Sequence, residues 1–493
     1  MLINALNAID FYKTDHRRQY PAGTTEVYAN FTPRSDHYAN MGIDFDHHII
    51  FFGLQYFILD YLIGNWSQTF FRLRKSVAIS AYKRRMDFAL GEDAIRMEHI
   101  EALHDLGYLP LKIKALPEGT RVPIGVPVLT ILNTHPDFFW LTNYIESVLS
   151  CYLWKPITSA TIAFQYRKLL TQYALKTHSS LDFVPFQAHD FSFRGLSGPQ
   201  DAASSGAAHL TSFVGTDTVL AIDFHEYYYG ADAEIELIGC SVPATEHSVM
   251  CMGMEDGELN TFRRLINDIY PSGIVSIVSD TWDFWKVITE YTVELKQDIL
   301  QRNGKVVLRP DSGDPIKIIC GDPEAEKYSP QYKGAVQCLW EVFGGETRNG
   351  YSHLDSHIGL IYGDSITLDR AEMILKGLAN KGFASDNIVF GVGSYTYQHV
   401  TRDTFGWAVK TTSGKVGNER RDIFKDPKTD SGTKRSAKGL LRIDYNEQGK
   451  LALFDQQTLE QENTGKLETI FLNGSLKIST TLQEIRERIK EQL

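Results

Sequence analysis

The middle third of the chain repeats one pattern four times: a short apolar run, a polar or glycine turn, then a helical periodicity. The runs cover residues 274–278 before Ser279-Asp280, 306–308 before Arg309-Pro310-Asp311-Ser312-Gly313, 358–362 before Gly363-Asp364, and 388–390 before Gly391-Val392-Gly393. Between them lie amphipathic stretches at 282–301, with Asp280 placed to cap the helix, and at 368–379, with Gly382 placed to stop it. Strand, turn and helix repeated in this way require a parallel sheet, because parallel neighbours need long crossovers. Side chains at the C-terminal ends of such strands converge on one rim, where α/β barrels place their active sites.

The flanks read differently. Residues 111–134 are strand-like and broken by turns at Pro117-Glu118-Gly119 and 122–125, which predicts a small antiparallel sheet. Helical periodicity follows at 138–152 and 163–176, with Pro156 separating the two. The tail returns to hairpins, 440–445 against 450–454 and then 468–472 and 476–480. A last helix opens with the capping box Thr481 to Glu484 and carries Leu482, Ile485 and Ile489 on one face. With 493 residues, two or three domains are expected.

Charge and cysteine usage narrow the function classes. Lys plus Arg number 50 and Asp plus Glu 61, a balance of −11 that argues against a nucleic-acid partner but leaves room for local basic pockets. The five cysteines are odd in number, widely spaced and without a Cys-x-x-Cys pair, as expected in a reducing compartment. Residues 1–12 lack the pattern of a signal peptide. The greasiest stretch, 49–63, carries Gln55 and Asp60 and falls short of the roughly 20 apolar residues of a membrane span. The expectation is a cytoplasmic protein with no membrane partner.

The strand-end residues are Asp280, Arg309, Asp311, Asp364 and Arg402, joined upstream by His189-Asp190-Phe191, Arg194, Asp217 and His247. Carboxylates are hard ligands for magnesium, and guanidinium forks match phosphate, so this rim suits a magnesium-bound, phosphate-rich sugar. Singly, each Arg or Asp reads as part of an exposed salt bridge; their shared place at strand ends sets them apart.

Further blocks give these residues a setting. They are Tyr12-Lys13 with Gln19-Tyr20-Pro21, Pro117-Glu118-Gly119, Trp140 to Asn143, His189-Asp190-Phe191 with Arg194-Gly195, and Gly215 to Thr218. Ser241 to Ala244, Glu246-His247-Ser248, Arg309 to Gly313, Gly363-Asp364, Thr401-Arg402-Asp403 and Phe424 to Pro427 continue the series in order. Along nearly its whole length the chain resembles the nicotinamide phosphoribosyltransferase family. The resemblance implies an α/β fold: an irregular α/β barrel (151–395) with an additional mixed α+β sheet domain built from 1–150 and 396–493. It also implies a homodimer with shared active sites. The implied reaction joins nicotinamide to 5-phosphoribosyl 1-pyrophosphate, giving nicotinamide mononucleotide and pyrophosphate in NAD salvage, with Mg2+ and with ATP as coupled co-substrate.

The resemblance also implies residue roles. Phe191 and the partner subunit's Tyr12 would sandwich the pyridine, for about 1 kcal/mol beyond area burial, although without the surrounding motif Phe191 reads as core packing. Arg194 falls in the same substrate-binding block. Asp217 would accept a hydrogen bond from the carboxamide and oppose a carboxylate by roughly 4 kcal/mol at about 4 Å and an effective dielectric near 20; its other reading is the N-cap of a helix at 219–228. Asp280 and Asp311 match positions near the ribose and magnesium, Gly363 and Asp364 the ribose-hydroxyl loop, and Arg309 and Arg402 phosphate contacts. Gly393 and Ser394 match the phosphate loop, while Arg34, Lys410, Lys425 and Lys434 match a polyphosphate channel; without the match, Lys425 and Lys434 read as a solvated loop. His247 matches a phosphorylated histidine, a nucleophile toward ATP if Glu246 or Asp280 orients its second nitrogen.

Several positions depart from the family pattern. Tyr395 stands where a third glycine is usual, Ser192-Phe193 replaces Gly-Tyr, Val214 replaces a common Lys, and the segment 34–48 is short. Three rival readings remain: a nicotinate phosphoribosyltransferase, a non-catalytic binding protein on the same fold, and a metallohydrolase built on His189-Asp190, His225 and His247.

Overall fold

The computed structural model of the protein describes residues 3–42, 44–425 and 437–493, so Lys434 lies outside the described residues. Strands β1 (Thr24–Thr32), β2 (Leu111–Ala115) and β3 (Leu129–Asn133) form the N-terminal part of an antiparallel sheet. They lead into α1 (Glu146–Lys176), a single helix of 31 residues that contains Pro156 rather than breaking at it. Proline inside a helix costs about 3 kcal/mol. Here the turns around it bury Leu153, Ile157 and Ala160 completely, and each large apolar side chain so buried contributes roughly 1.5–3 kcal/mol. The ring itself packs against Gly53, where a Cβ would lie 2.9 Å from Pro156 Cγ.

The parallel sheet follows as β4 (Ala188–Asp190), β5 (Gly215–Thr216), β6 (Ser272–Val278), β7 (Asn303–Arg309), β8 (Ile358–Tyr362) and β9 (Val389–Val392). Its order is β5-β4-β9-β8-β7-β6, every pair parallel. The buried residues Val275, Ile277, Val306, Leu308, Ile358, Leu360 and Phe390 are the apolar runs of the sequence. The segment between Cys240 and Ala244 joins the two edge strands. Cys240 bridges Gly215 of β5, and Ala244 bridges Ser276 of β6, which curls the sheet into an irregular barrel. Helix α2 (Leu368–Asn380) packs on this barrel; Thr367 caps it, and the chain leaves it through Gly382 at φ +76°.

The stretch after β6 differs from the expected single helix. Helical turns lie between Phe284–Lys286 and Lys296–Leu300, and the cap is Asp283, whose carboxylate accepts the N–H groups of Trp285 and Lys286. Asp280 is thereby left for the rim.

The tail returns to the first sheet through β10 (Ala408–Val416), β11 (Glu419–Asp422), β12 (Glu468–Leu472) and β13 (Ser475–Leu476). The order is β11-β10-β1-β3-β2-β12-β13, antiparallel throughout, so N- and C-terminal segments interleave. The last helix, α3 (Leu482–Lys490), has both bonds of its capping box and buries Leu482, Ile485 and Ile489. One hydrophobic core continues from this sheet into the barrel. All five cysteines are free thiols. No helix among the described residues is long and apolar enough to cross a membrane.

Candidate active site

Strand register assembles the rim. Val278 of β6 pairs with Arg309 of β7; two residues further along each chain come Asp280 and Asp311, and the Asp311 N–H donates to Asp280 Oδ2 at 2.9 Å. On the other side, Gly391 of β9 pairs with His189 of β4, and His189 pairs with Gly215 of β5. Phe191 and Asp217 therefore emerge at the same end. A cavity of about 490 Å³ opens there, lined by Phe191, Arg194, Asp217, Arg309, Asp311, Gly363, Asp364, Gly393 and Ser394 among others. Its size suits a small-molecule ligand.

The Phe191 ring lies on backbone. A Cβ at Gly391 would come within 2.5 Å of Phe191 Cδ2, and one at Gly363 within 3.2 Å of Phe191 Cε2. Glycine at both places lets an aromatic face line the cavity instead of sealing into the core. Opposite, Ser394 fills the space that a Cβ on Gly195 would need.

Asp217 does not cap the helix beside it, whose N-cap is Thr218. Instead its Oδ1 accepts from Ser241 Oγ at 2.6 Å and lies 2.9 Å from His189 Nε2. Burial alone would raise the Asp217 pKa; the bonds from His189 and Ser241 and the charge of Arg309 outweigh it and hold the carboxylate below its usual value. Asp311 is pushed the other way, by burial first and by Asp280 as well, with Arg309 opposing. Arg309 is braced by its bond to the Thr245 carbonyl, 2.8 Å, and faces Asp311 at 3.2 Å. His247 Nε2 lies 3.2 Å from Asp280 Oδ1, so Asp280 is its partner, while Glu246 turns to Ser248.

Other expected site residues lie outside the cavity. Tyr12 is 65% exposed, with its ring 5.4 Å from that of His16. Lys410 shares its surroundings with Arg34, Lys425 and Arg402; burial and then these three cations lower its pKa, with Glu146 opposing. Arg34 also donates to the Gly406 carbonyl at 2.8 Å, which ties it to the β10 side of the sheet.

Five lining residues, Gly195, Ser365, Tyr395, Gln398 and His399, are not among the expected site residues. The rings of Tyr395 and His399 sit 4.4 Å apart, and the Arg370 guanidinium lies 6.0 Å from the Tyr395 ring. Tyr395, in the position of the missing glycine, stands at the wall. The histidines of the metallohydrolase reading do not meet: His225 is sealed inside and bonded to the Ala207 carbonyl, and no group of three or more His, Cys, Asp or Glu among the described residues could hold a metal ion.

Comparison with known proteins places this arrangement. Residues 186–474 match the model of the nicotinate phosphoribosyltransferase (NAPRTase) family, and residues 4–113 match that of the nicotinamide phosphoribosyltransferase N-terminal domain. The chain is 64% identical to the nicotinamide phosphoribosyltransferase of Acinetobacter baylyi, over 100% of this chain and 98% of that one. The chain belongs to the nicotinamide phosphoribosyltransferase family. Similarly named proteins of Mycoplasma pneumoniae (35% identical, 88% of this chain and 94% of that one) and Xanthomonas campestris (32%, 98% of each) match as well. Among solved structures, the nicotinate-nucleotide pyrophosphorylase of Pyrococcus furiosus shares the fold with a TM-score of 0.60 at 14% identity, covering 99% of this chain and 95% of that one. Human nicotinic acid phosphoribosyltransferase does so at 0.53 and 14%, covering 98% and 92%. In nicotinamide phosphoribosyltransferase terms, the N-terminal match spans Tyr12 and Arg34, while the longer match spans the cavity, His247 and the Lys410 cluster.

Proposed function

We propose that the protein transfers the phosphoribosyl group of 5-phosphoribosyl 1-pyrophosphate to nicotinamide, giving nicotinamide mononucleotide and pyrophosphate in NAD salvage in the cytoplasm. The observation that carries this reading is Asp217: an ionised carboxylate beside an aromatic face, with one oxygen already engaged by His189 and Ser241. Such a group accepts a hydrogen bond from an uncharged carboxamide and repels a carboxylate. Phe191 supplies one stacking face. Arg194, Gly393, Ser394, Gly363 and Asp364 line the same cavity; the first three would take the 5′-phosphate and the last two the ribose hydroxyls.

Breaking the bond at C1 of the sugar builds positive charge on the ribose and negative charge on the leaving pyrophosphate. Carboxylates near the ring and cations near the leaving group lower that barrier. Asp311 supplies the first and Arg309 the second. A divalent cation would be held by Asp280 and Asp311, which the bond from the Asp311 N–H to Asp280 Oδ2 at 2.9 Å brings together. Two protein carboxylates with substrate phosphates completing the shell is a usual arrangement for Mg2+. Bound there, Mg2+ would neutralise charge on the departing pyrophosphate.

ATP coupling is assigned to His247. With Asp280 orienting Nε2, the Nδ1 lone pair is free to attack the γ-phosphorus, and ADP leaves as the phosphohistidine forms. Arg34, Arg402, Lys410 and Lys425 would receive the polyphosphate. The exposure of Tyr12 and the place of these cations outside the cavity support a homodimer in which each site borrows them from the partner.

The deciding experiment mixes purified protein with phosphoribosyl pyrophosphate and Mg2+, adds nicotinamide or nicotinate with and without ATP, and follows the mononucleotide. Product from nicotinamide, increased by ATP, is expected. Product from nicotinate alone would move the assignment to the acid-specific relative.

A further inference from the structure

We infer that His189 and Ser241 are positioning residues for pyridine selectivity: together they occupy Oδ1 of Asp217 and leave Oδ2 as its single acceptor toward the cavity. The inference rests on the proposed reaction and adds to it the two residues that fix the selecting carboxylate.

The geometry has three parts, from two adjacent strands of the barrel and the segment that closes it. His189 on β4 and Gly215 on β5 are register partners. A Cβ at Gly215 would lie 2.8 Å from His189 Nδ1, so the imidazole lies across the neighbouring strand only because residue 215 is glycine. That placement brings Nε2 to within 2.9 Å of Asp217 Oδ1. Since a carboxylate only accepts, Nε2 carries the proton. Ser241 comes from the segment that closes the barrel and is set by its neighbour Cys240, which bonds Val214 and Thr216 across the β5 edge. Its hydroxyl donates to the same Oδ1 at 2.6 Å.

Both donors thus grip one oxygen, His189 from a partly buried strand and Ser241 from the exposed closing segment. The His189 side chain is 13% exposed and the Asp217 side chain 48%. The His189 ring also lies 4.9 Å from that of Phe191, so the residue that orients the carboxylate touches the stacking face as well. Without the donors, Asp217 is free to swing away from an incoming nicotinate carboxylate. Coulomb repulsion falls with distance, and at an effective dielectric near 20 a retreat from about 4 to about 6 Å gives up about tenfold in discrimination.

The test measures kcat and KM for nicotinamide and for nicotinate in wild type, His189→Ala, His189→Gln, Ser241→Ala and Gly215→Ala, with thermal melting of each. His189→Ala and Ser241→Ala are expected to lower the nicotinamide-to-nicotinate ratio of kcat/KM by about tenfold, through a lower nicotinate KM as its repulsion is relieved more than through a change in kcat. His189→Gln keeps an N–H donor and should restore most of the ratio. Gly215→Ala, which displaces the ring without removing it, should resemble His189→Ala. If the alanine variants lose both substrates in equal proportion, so that the ratio stays at the wild-type value, the inference is overturned. Should His189→Ala not fold, Ser241→Ala decides from the closing segment. A wild type that makes no mononucleotide from nicotinamide would instead refute the reaction itself.

Discussion

His247 Nε2 lies 3.2 Å from Oδ1 of Asp280, and the other oxygen of that carboxylate accepts the backbone N–H of Asp311. One carboxylate therefore ties the proposed phosphorylation site to Asp311, the residue proposed to face the ribose. His247→Ala removes the nucleophile and leaves the pyridine pocket intact. It is expected to abolish ATP turnover, read as ADP release, while calorimetric affinity for nicotinamide falls much less. Equal loss of both would count against the role.

Asp217 gives a sharper substrate test. Its negative charge opposes a carboxylate at about 4 Å by roughly 4 kcal/mol at an effective dielectric near 20, about a thousandfold. Asp217→Asn keeps the shape, removes the charge and adds a donor. Competition between the two pyridines should then show the preference for nicotinamide collapsing by at least about a hundredfold, most of the charge effect. A variant that still rejects nicotinate as strongly as wild type would mean that another group does the selecting.

Gly391 tests the floor of the cavity. An added Cβ would lie 2.5 Å from Phe191 Cδ2 and 2.6 Å from Gly363 Cα, so the ring has to move into the space for the pyridine. Gly391→Ala should cost about 1–3 kcal/mol in stability from overpacking and raise the KM for nicotinamide steeply. Wild-type kinetics in a folded variant would place the pyridine elsewhere.

The parallel strands were legible because each apolar run gives way to a polar or glycine-bearing turn, at Asp280, Arg309, Gly363 and Gly391. The convergence of Phe191, Asp217, Arg309, Asp311 and Asp364 on one cavity follows from register and could be anticipated from those ends. What was not legible depends on packing between distant segments. Pro156 continues its helix because Gly53 and the core receive it, and no local signal announces that. Asp283 rather than Asp280 caps the following turn, a choice between two aspartates that propensity does not make. The closing segment, Cys240 to Ala244, pairs through isolated bridges and has no alternating pattern to mark it, which also hid the meeting of Ser241 with Asp217. Gln398 and His399 sit in an irregular loop with no periodicity and became visible only with the cavity wall.

Buried histidines set the acid limit of the fold. Burial, aided by Arg486, pushes the His225 pKa down to about 3, and burial holds His209 at about 4, against an ordinary 6.5. Below pH 6.5 the unfolded chain takes up protons that the native state refuses. The stability these residues contribute is therefore full above pH 6.5 and is lost as pH falls toward 3–4. Each contributes a slope of up to about 1.4 kcal/mol per pH unit in that window. His225 Nε2–H donates to the Ala207 carbonyl at 2.8 Å, a bond that the amide of glutamine can replace without titrating. Urea melts of His225→Gln between pH 6.5 and 4 should thus show a shallower fall in stability than wild type, by about one proton's worth. An unchanged slope would assign the acid sensitivity to other groups.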